Sequence, residues 1–270
     1  MFHNILCPID FTTFSHTALE HAVGIAHAHG ASVTGLHVVP AGAAHDPNLP
    51  KWTTEDLRRL EAQVLKVLRE ADAPSPRAIA VVGDPALEIE KLASALPADV
   101  IVMPRHGWTG LMTHASGSVT EHVMCHARAP IIVVPESAKR LAPTSEMHRI
   151  VCGIDFSPAS LKALRYAGDL ASADHRQLIV THVDPNGPST LWRGRLHTVT
   201  ANDIPPGVAV QERVQVGNPA SEILRLARED GADLIAIGGH RGHPPGCVMS
   251  GVVAGASCPI LIVRAGPRLA

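Results

Sequence analysis

The feature that most constrains this chain is an internal repeat. MFHNILCPIDFT at the start is matched by MHRIVCGIDFSP when Asp10 is laid on Asp155, a separation of 145 residues. SVTGLHVV matches QLIVTHVD, with His37 and His182 again 145 apart. VVGDPALEI matches QVGNPASEI, with Gly83 and Gly217 separated by 134, and APIIVV matches CPILIV, with Pro130 and Pro259 separated by 129. Four matches in one order describe a duplication, so two similar domains are expected, at residues 1–136 and 148–270. The polar stretch ESAKRLAPTSEM, Glu136 to Met147, reads as the linker.

Within each copy, short apolar runs alternate with helix signals. His3–Asp10, Ser32–Val39, Arg77–Val82, Val100–Met103 and Ile131–Val134 read as strands. Val100–Met103 and Ile131–Val134 are apolar without alternation, which suits parallel strands covered on both faces. Thr12 or Thr13 caps a helix that stops at Gly30, an amphipathic helix covers Thr53 to Ala71, and Asp84-Pro85 opens a third. Strand–helix alternation with short crossovers implies a doubly wound parallel sheet. Such sheets bind ligands beyond the carboxyl ends of the strands, where the winding reverses. If the first strand lies beside the fourth, Asp10 faces the loop after Met103 across that crevice.

The separations also show where the copies differ. The second has lost 11 residues around the segment that holds the Thr53–Ala71 helix, and five more within the loop after its fourth strand. Its replacement segment, Pro185 to Gly207, is rich in Pro, Gly and Asn and is expected to be mostly loop, leaving the crevice wall more open.

Aromatic residues are only 3% of the chain against 46% hydrophobic, so the cores are built from Val, Ile, Leu and Ala. A net charge of −2 gives no electrostatic case for nucleic acid or an anionic membrane. No apolar run approaches the roughly 20 residues of a membrane span. Asp10 interrupts the N-terminus before an apolar core could form, so no signal peptide is expected. The five cysteines show no CxxC spacing. They read as reduced thiols of a cytoplasmic protein.

The loop from Arg105 to Ser116 carries Gly107 and Gly110 and leads to Gly117-Ser118 at the head of a helix. Free N–H groups and a positive dipole end at such a place favour a phosphate. Ser118-Val-Thr-Glu121 is equally a capping box that a helix would use without a ligand, and Asp10 could be a plain turn residue.

ILCPIDFT, LHVV, HGWTGL, GSVTEHV and APIIVVP together resemble the universal stress protein family in its tandem two-domain form. The resemblance implies two flavodoxin-like (Rossmann-like) α/β domains of strand order 3-2-1-4-5, related by pseudo-twofold symmetry. Some members bind ATP through a G-x2-G-x9-G-[ST] motif; others lack it. Carried over, Gly107, Gly117 and Ser118 would meet the phosphates of ATP, with Mg2+ a possible companion. Val119 and Thr120 would supply further helix N–H groups. Asp10 and Val38 would lie against the adenine, Pro8 would shape the strand end, and Met103 and His106 would flank the nucleotide. Pro104 stands at the first motif glycine and has no N–H to offer. Trp108 stands where many relatives carry a basic residue.

In the second copy Gly246-Cys247 replaces Gly117-Ser118, Ser250 replaces Glu121, and Pro244-Pro245 removes two N–H groups. One adenine nucleotide, in the N-terminal domain, is therefore expected. Slow ATP hydrolysis and a ligand-independent interaction module are the alternative readings. No G-x-S-x-G elbow, G-x4-G-K-[ST] loop or nucleophile–base pair marks a catalytic site. Among the 17 histidines, His122 and His126 share a helix face and His240 and His243 lie close together. Neither pair has a third ligand at a recognisable spacing, so no metal is expected. Ile131–Val134 and Ile260–Val263 are apolar and would be edge strands in the family order. Their antiparallel pairing into an intramolecular pseudo-dimer is expected, with a homodimer of the whole chain left open.

Overall fold

The computed structural model describes residues 2–40, 52–105, 119–138, 148–173, 176–187, 190–239 and 247–265. They fall into two compact units, one spanning Phe2–Glu136 and the other containing Glu146–Ala270.

The first unit runs β1 (Asn4–Pro8), α1 (Thr13–His29), β2 (Ser32–Pro40), α2 (Thr54–Glu70), β3 (Arg77–Gly83), α3 (Pro85–Ala95), β4 (Val100–Pro104), α4 (Val119–His126) and β5 (Ile131–Val134). Its strands are all parallel in the order β3-β2-β1-β4-β5. Every residue of β4 and β5 is buried, as strands covered on both faces require.

The helix ends follow local chemistry. Thr12 accepts a hydrogen bond from Ser15 N–H at the head of α1, and Gly30, at φ 64°, ends it in the left-handed region. Thr53 and Asp56 form a reciprocal capping box on α2. Asp84 caps α3, with Pro85 in its first turn. Gly35 lets α2 sit close on β2, since a Cβ there would lie 2.7 Å from Val64 and 3.1 Å from Leu68.

The second unit repeats the plan: β6 (Arg149–Gly153), α5 (Pro158–Ala173), β7 (Gln177–Asp184), α6 (Thr190–Asp203), β8 (Ala209–Val216), α7 (Pro219–Glu229), β9 (Leu234–Gly239), α8 (Val248–Gly255) and β10 (Ile260–Arg264). Its parallel order is β8-β7-β6-β9-β10. Both units thus have the flavodoxin-like order expected of them.

Helix α6 corrects the sequence reading, which has Pro185–Gly207 mostly as loop. Its sequence contains Gly194 and several β-branched residues, a poor intrinsic helix. Tertiary contacts hold it instead. Leu196 and Thr200 are buried, and the Thr200 hydroxyl donates to Glu212 of β8. His197 Nδ1 also lies 3.1 Å from Glu212, and Arg165 of α5 donates to Asp203 at 2.8 Å.

Burial pushes the Cys7 and Cys152 thiols up to about 12, with the Asp10 charge adding to the effect at Cys7. All five cysteines are free.

Candidate functional site

The winding reverses between β1 and β4. Their pairing is Ile5↔Val100 and Leu6↔Ile101, while β1 stays paired with β2 as far as Pro8↔Leu36. Beyond Leu6 the two strands therefore border a crevice. Pro8, Ile9 and Asp10 approach it from β1, and Met103 and Pro104 from β4.

After β1 the chain turns sharply. Phe11 takes φ 62°, a strained conformation for a bulky residue, of the kind that clusters at functional sites. Asp10 Oδ1 accepts from the Thr12 N–H at 3.0 Å and from its hydroxyl at 2.5 Å, and Thr12 in turn caps α1. His37 of β2 donates from Nδ1 to the Ile9 carbonyl at 2.7 Å, and its ring lies 4.8 Å from that of Phe11. Val38 pairs with Val81 one position further along β2. A cavity of about 340 Å³ opens beside this turn, lined by Phe11, Thr12, His16 and Val67 among others.

Met103 and Thr120 are buried, and Val119 is exposed. The Thr120 hydroxyl donates to the Pro104 carbonyl at 2.8 Å, tying the head of α4 to the end of β4. His106, Gly107, Gly117 and Ser118 lie outside the described residues.

The orientation of Pro104 follows from the ladder. Ile101 and Arg105 donate N–H to β5-side carbonyls, of Pro130 at 2.9 Å and Val134 at 2.8 Å. Neighbouring residues of a strand point their N–H groups to opposite sides, so the Pro104 nitrogen faces β1 and the crevice. The missing donor is thus on the crevice side. The Arg105 N–H is engaged in the sheet and cannot replace it.

The second unit builds the same turn. Phe156 has φ 61°, Asp155 Oδ1 accepts from Ser157 N–H at 2.9 Å, and His182 donates to the Ile154 carbonyl at 2.9 Å. This recurrence makes the Asp–Phe turn and its histidine part of the fold, whatever else Asp10 does.

What differs is the cover. Trp192 of α6 stacks on Phe156 at 5.5 Å, packs 4.5 Å from the His182 ring and donates Nε1–H to Asp184 at 2.7 Å. The Arg195 guanidinium lies 4.3 Å over the Phe156 ring. Phe156 is 9% exposed and Phe11 43%. The shorter second copy therefore does not open its crevice wall; it fills the space with an aromatic plug.

Two further differences concern the fourth strand and the helix after it. A Cβ on Gly238, the counterpart of Pro104, would lie 2.5 Å from Ser160 N, so this glycine is needed for close packing of α5. Cys247 caps α8 without an acidic residue to complete a capping box: Ser250 N–H donates to Sγ at 3.4 Å, and the Ser250 hydroxyl lies 3.1 Å from it.

Sequence reasoning missed two sets of residues here. Trp192 and Arg195 sit in the segment read as loop. Glu90 of α3 stands beside the His122–His126 pair for which no third ligand was found, and one donor atom from each of the three lies within 4.8 Å of the others. Only the packing of α3 on α4 brings them together.

Comparison with known proteins places this geometry. The profile of the universal stress protein family matches residues 1–135, 146–203 and 195–264. A universal stress protein of Mycolicibacterium smegmatis is 27% identical over 294 residues, covering 97% of each chain. One from Mycobacterium tuberculosis is 27% identical over 307 residues, covering 96% of this chain and 94% of its own. The crystal structure of a universal stress protein from Archaeoglobus fulgidus superposes with a TM-score of 0.77 at 21% identity, covering 97% of this chain and 98% of its own. Matched in both halves and across nearly all its length, this chain belongs to the universal stress protein family, as a tandem of two such domains.

Proposed function

We propose that the protein is an adenine-nucleotide-binding regulatory module of the stress response, and that ATP binds in the N-terminal unit alone. The contrast between the two crevices carries this reading: Phe11 is open at 43% exposure, whereas Phe156 is covered by Trp192 and Arg195. An exposed aromatic ring beside a strained turn and a strand-end crevice suits a base, while the helix head that follows the glycine loop suits phosphates. The domain limits 1–136 and 148–270 belong to the same proposal. In the second unit Trp192 occupies the base side, and Pro244-Pro245 deplete the loop of donors.

Isothermal calorimetry with Mg2+ and ATP on the full chain tests the reading. Gly117→Val puts a side chain where the phosphates approach, and should abolish binding. Equal binding by variant and wild type, or none up to millimolar ATP, overturns it.

A further inference from the structure

We propose that Glu90, His122 and His126 form a divalent transition-metal site, suited to Zn2+, that clips α3 to α4 in the N-terminal unit. The donor set is two imidazoles and a carboxylate, with the fourth position left to water. This is a combination that Zn2+ accepts readily and that Mg2+ and Ca2+, which take oxygen ligands, do not.

Three observations converge. One donor atom from each residue lies within 4.8 Å of the others, and His122 Nε2 is 3.6 Å from Glu90 Oε1. Donor atoms bound to one zinc at about 2.0–2.1 Å stand roughly 3.3 Å apart, so side-chain rotation closes the site. His122 and Glu90 have room for it, at 39% and 24% side-chain exposure. The stacked imidazoles, with centroids 4.2 Å apart, must swing from stacking towards a shared ion.

Secondly, the tautomer of His126 is set. Its Nδ1 lies 2.8 Å from the His122 carbonyl, which can only accept, so Nδ1 carries the proton and Nε2 presents its lone pair. Metal-ligating histidines are oriented by this kind of outer hydrogen bond. Glu90 Oε1 is meanwhile buried without a hydrogen-bond partner, and its His122 neighbour lies beyond hydrogen-bond reach.

Thirdly, the repeat supplies an internal control. By the separations of 134 and 129 residues, the counterparts of Glu90, His122 and His126 are Leu224, Gly251 and Gly255. There the helices close by apolar contact: a Cβ on Gly255 would lie 2.5 Å from Leu224 Cδ1, and one on Gly251 would lie 2.8 Å from the Ala220 Cβ. The fold can make this contact with no polar group. In the N-terminal unit the same three positions hold three metal-ligand side chains.

The site stands apart from the nucleotide reading and can be tested without it. Full-length protein stripped with a chelator is titrated with ZnCl2 against a chromophoric competitor, and its thermal midpoint is followed with and without zinc. Wild type should take up one zinc equivalent and melt higher with it. Glu90→Gln and His126→Ala should each weaken that uptake at least about tenfold and remove the thermal shift. His148→Ala, at an exposed histidine outside the site, should change neither, which separates the site from the chain's other histidines. His126 is exposed, so its variant carries the test should Glu90→Gln fold poorly. Zinc uptake unaltered in both variants, no uptake by wild type, or an equal response to MgCl2 overturns the proposal.

Discussion

Pro104 shows how much one backbone atom can decide. Its nitrogen faces the crevice, by the ladder alternation between Ile101 and Arg105. A charge-assisted bond lost there costs about 1.5–3 kcal/mol, roughly ten- to a hundredfold in affinity. Pro104→Gly restores an N–H at that point without removing the carbonyl that Thr120 uses. We expect it to tighten ATP binding about tenfold in calorimetry, and unchanged affinity would show that this position does not face the phosphates. Asp10 and Asp155, in contrast, do the same structural work in both units, so the carboxylate by itself does not distinguish a binding crevice from a filled one.

Helix α6 was illegible from its sequence because its order comes from partners outside the helix, on α5, β7, β8 and the Phe156 turn. Trp192→Ala removes the stack on Phe156 and the bond to Asp184, and is expected to cost about 1–3 kcal/mol in urea unfolding. A change below a few tenths of a kcal/mol would mean that the plug is loose.

The capping box of α2 is a local device and behaves differently. Hydrogen bonds from the Thr53 hydroxyl and backbone hold the Asp56 carboxyl below its ordinary value of 3.8. A depressed folded value means that this stabilisation is present above the unfolded pKa and is lost as pH falls through the folded one. Thr53→Ala should therefore lower the melting midpoint by about 2–4 °C at neutral pH. The gap should narrow below pH ~4; a gap that stays constant with pH would remove Asp56 from the explanation.

Across the whole chain, duplication has produced two units of one topology and unequal surfaces. ATP titration of the full-length protein should give a stoichiometry near one, untouched by Gly246→Val. Two sites of comparable affinity would show that Trp192 yields to the ligand.

The repeat, the strand order implied by the family, a threonine cap at Thr12 or Thr13 and the cap at Asp84 were readable because they depend on period, composition and neighbours within a few residues. So was the crevice, with Asp10 and Met103 at the strand ends that border it, since a strand end and a winding reversal follow from element order. Three features needed the tertiary structure. The side to which Pro104 turns its nitrogen depends on hydrogen-bond alternation with β5. The helix at Thr190–Asp203 depends on Phe156, in the turn after β6, and on Arg165 of α5. The meeting of Glu90 with His122 and His126 depends on two helices packing across some thirty residues of chain. Sequence alone determined the plan and the chemistry available to each strand and helix. Which side chains then met was decided by contacts between segments far apart in the chain, and no local pattern encodes those.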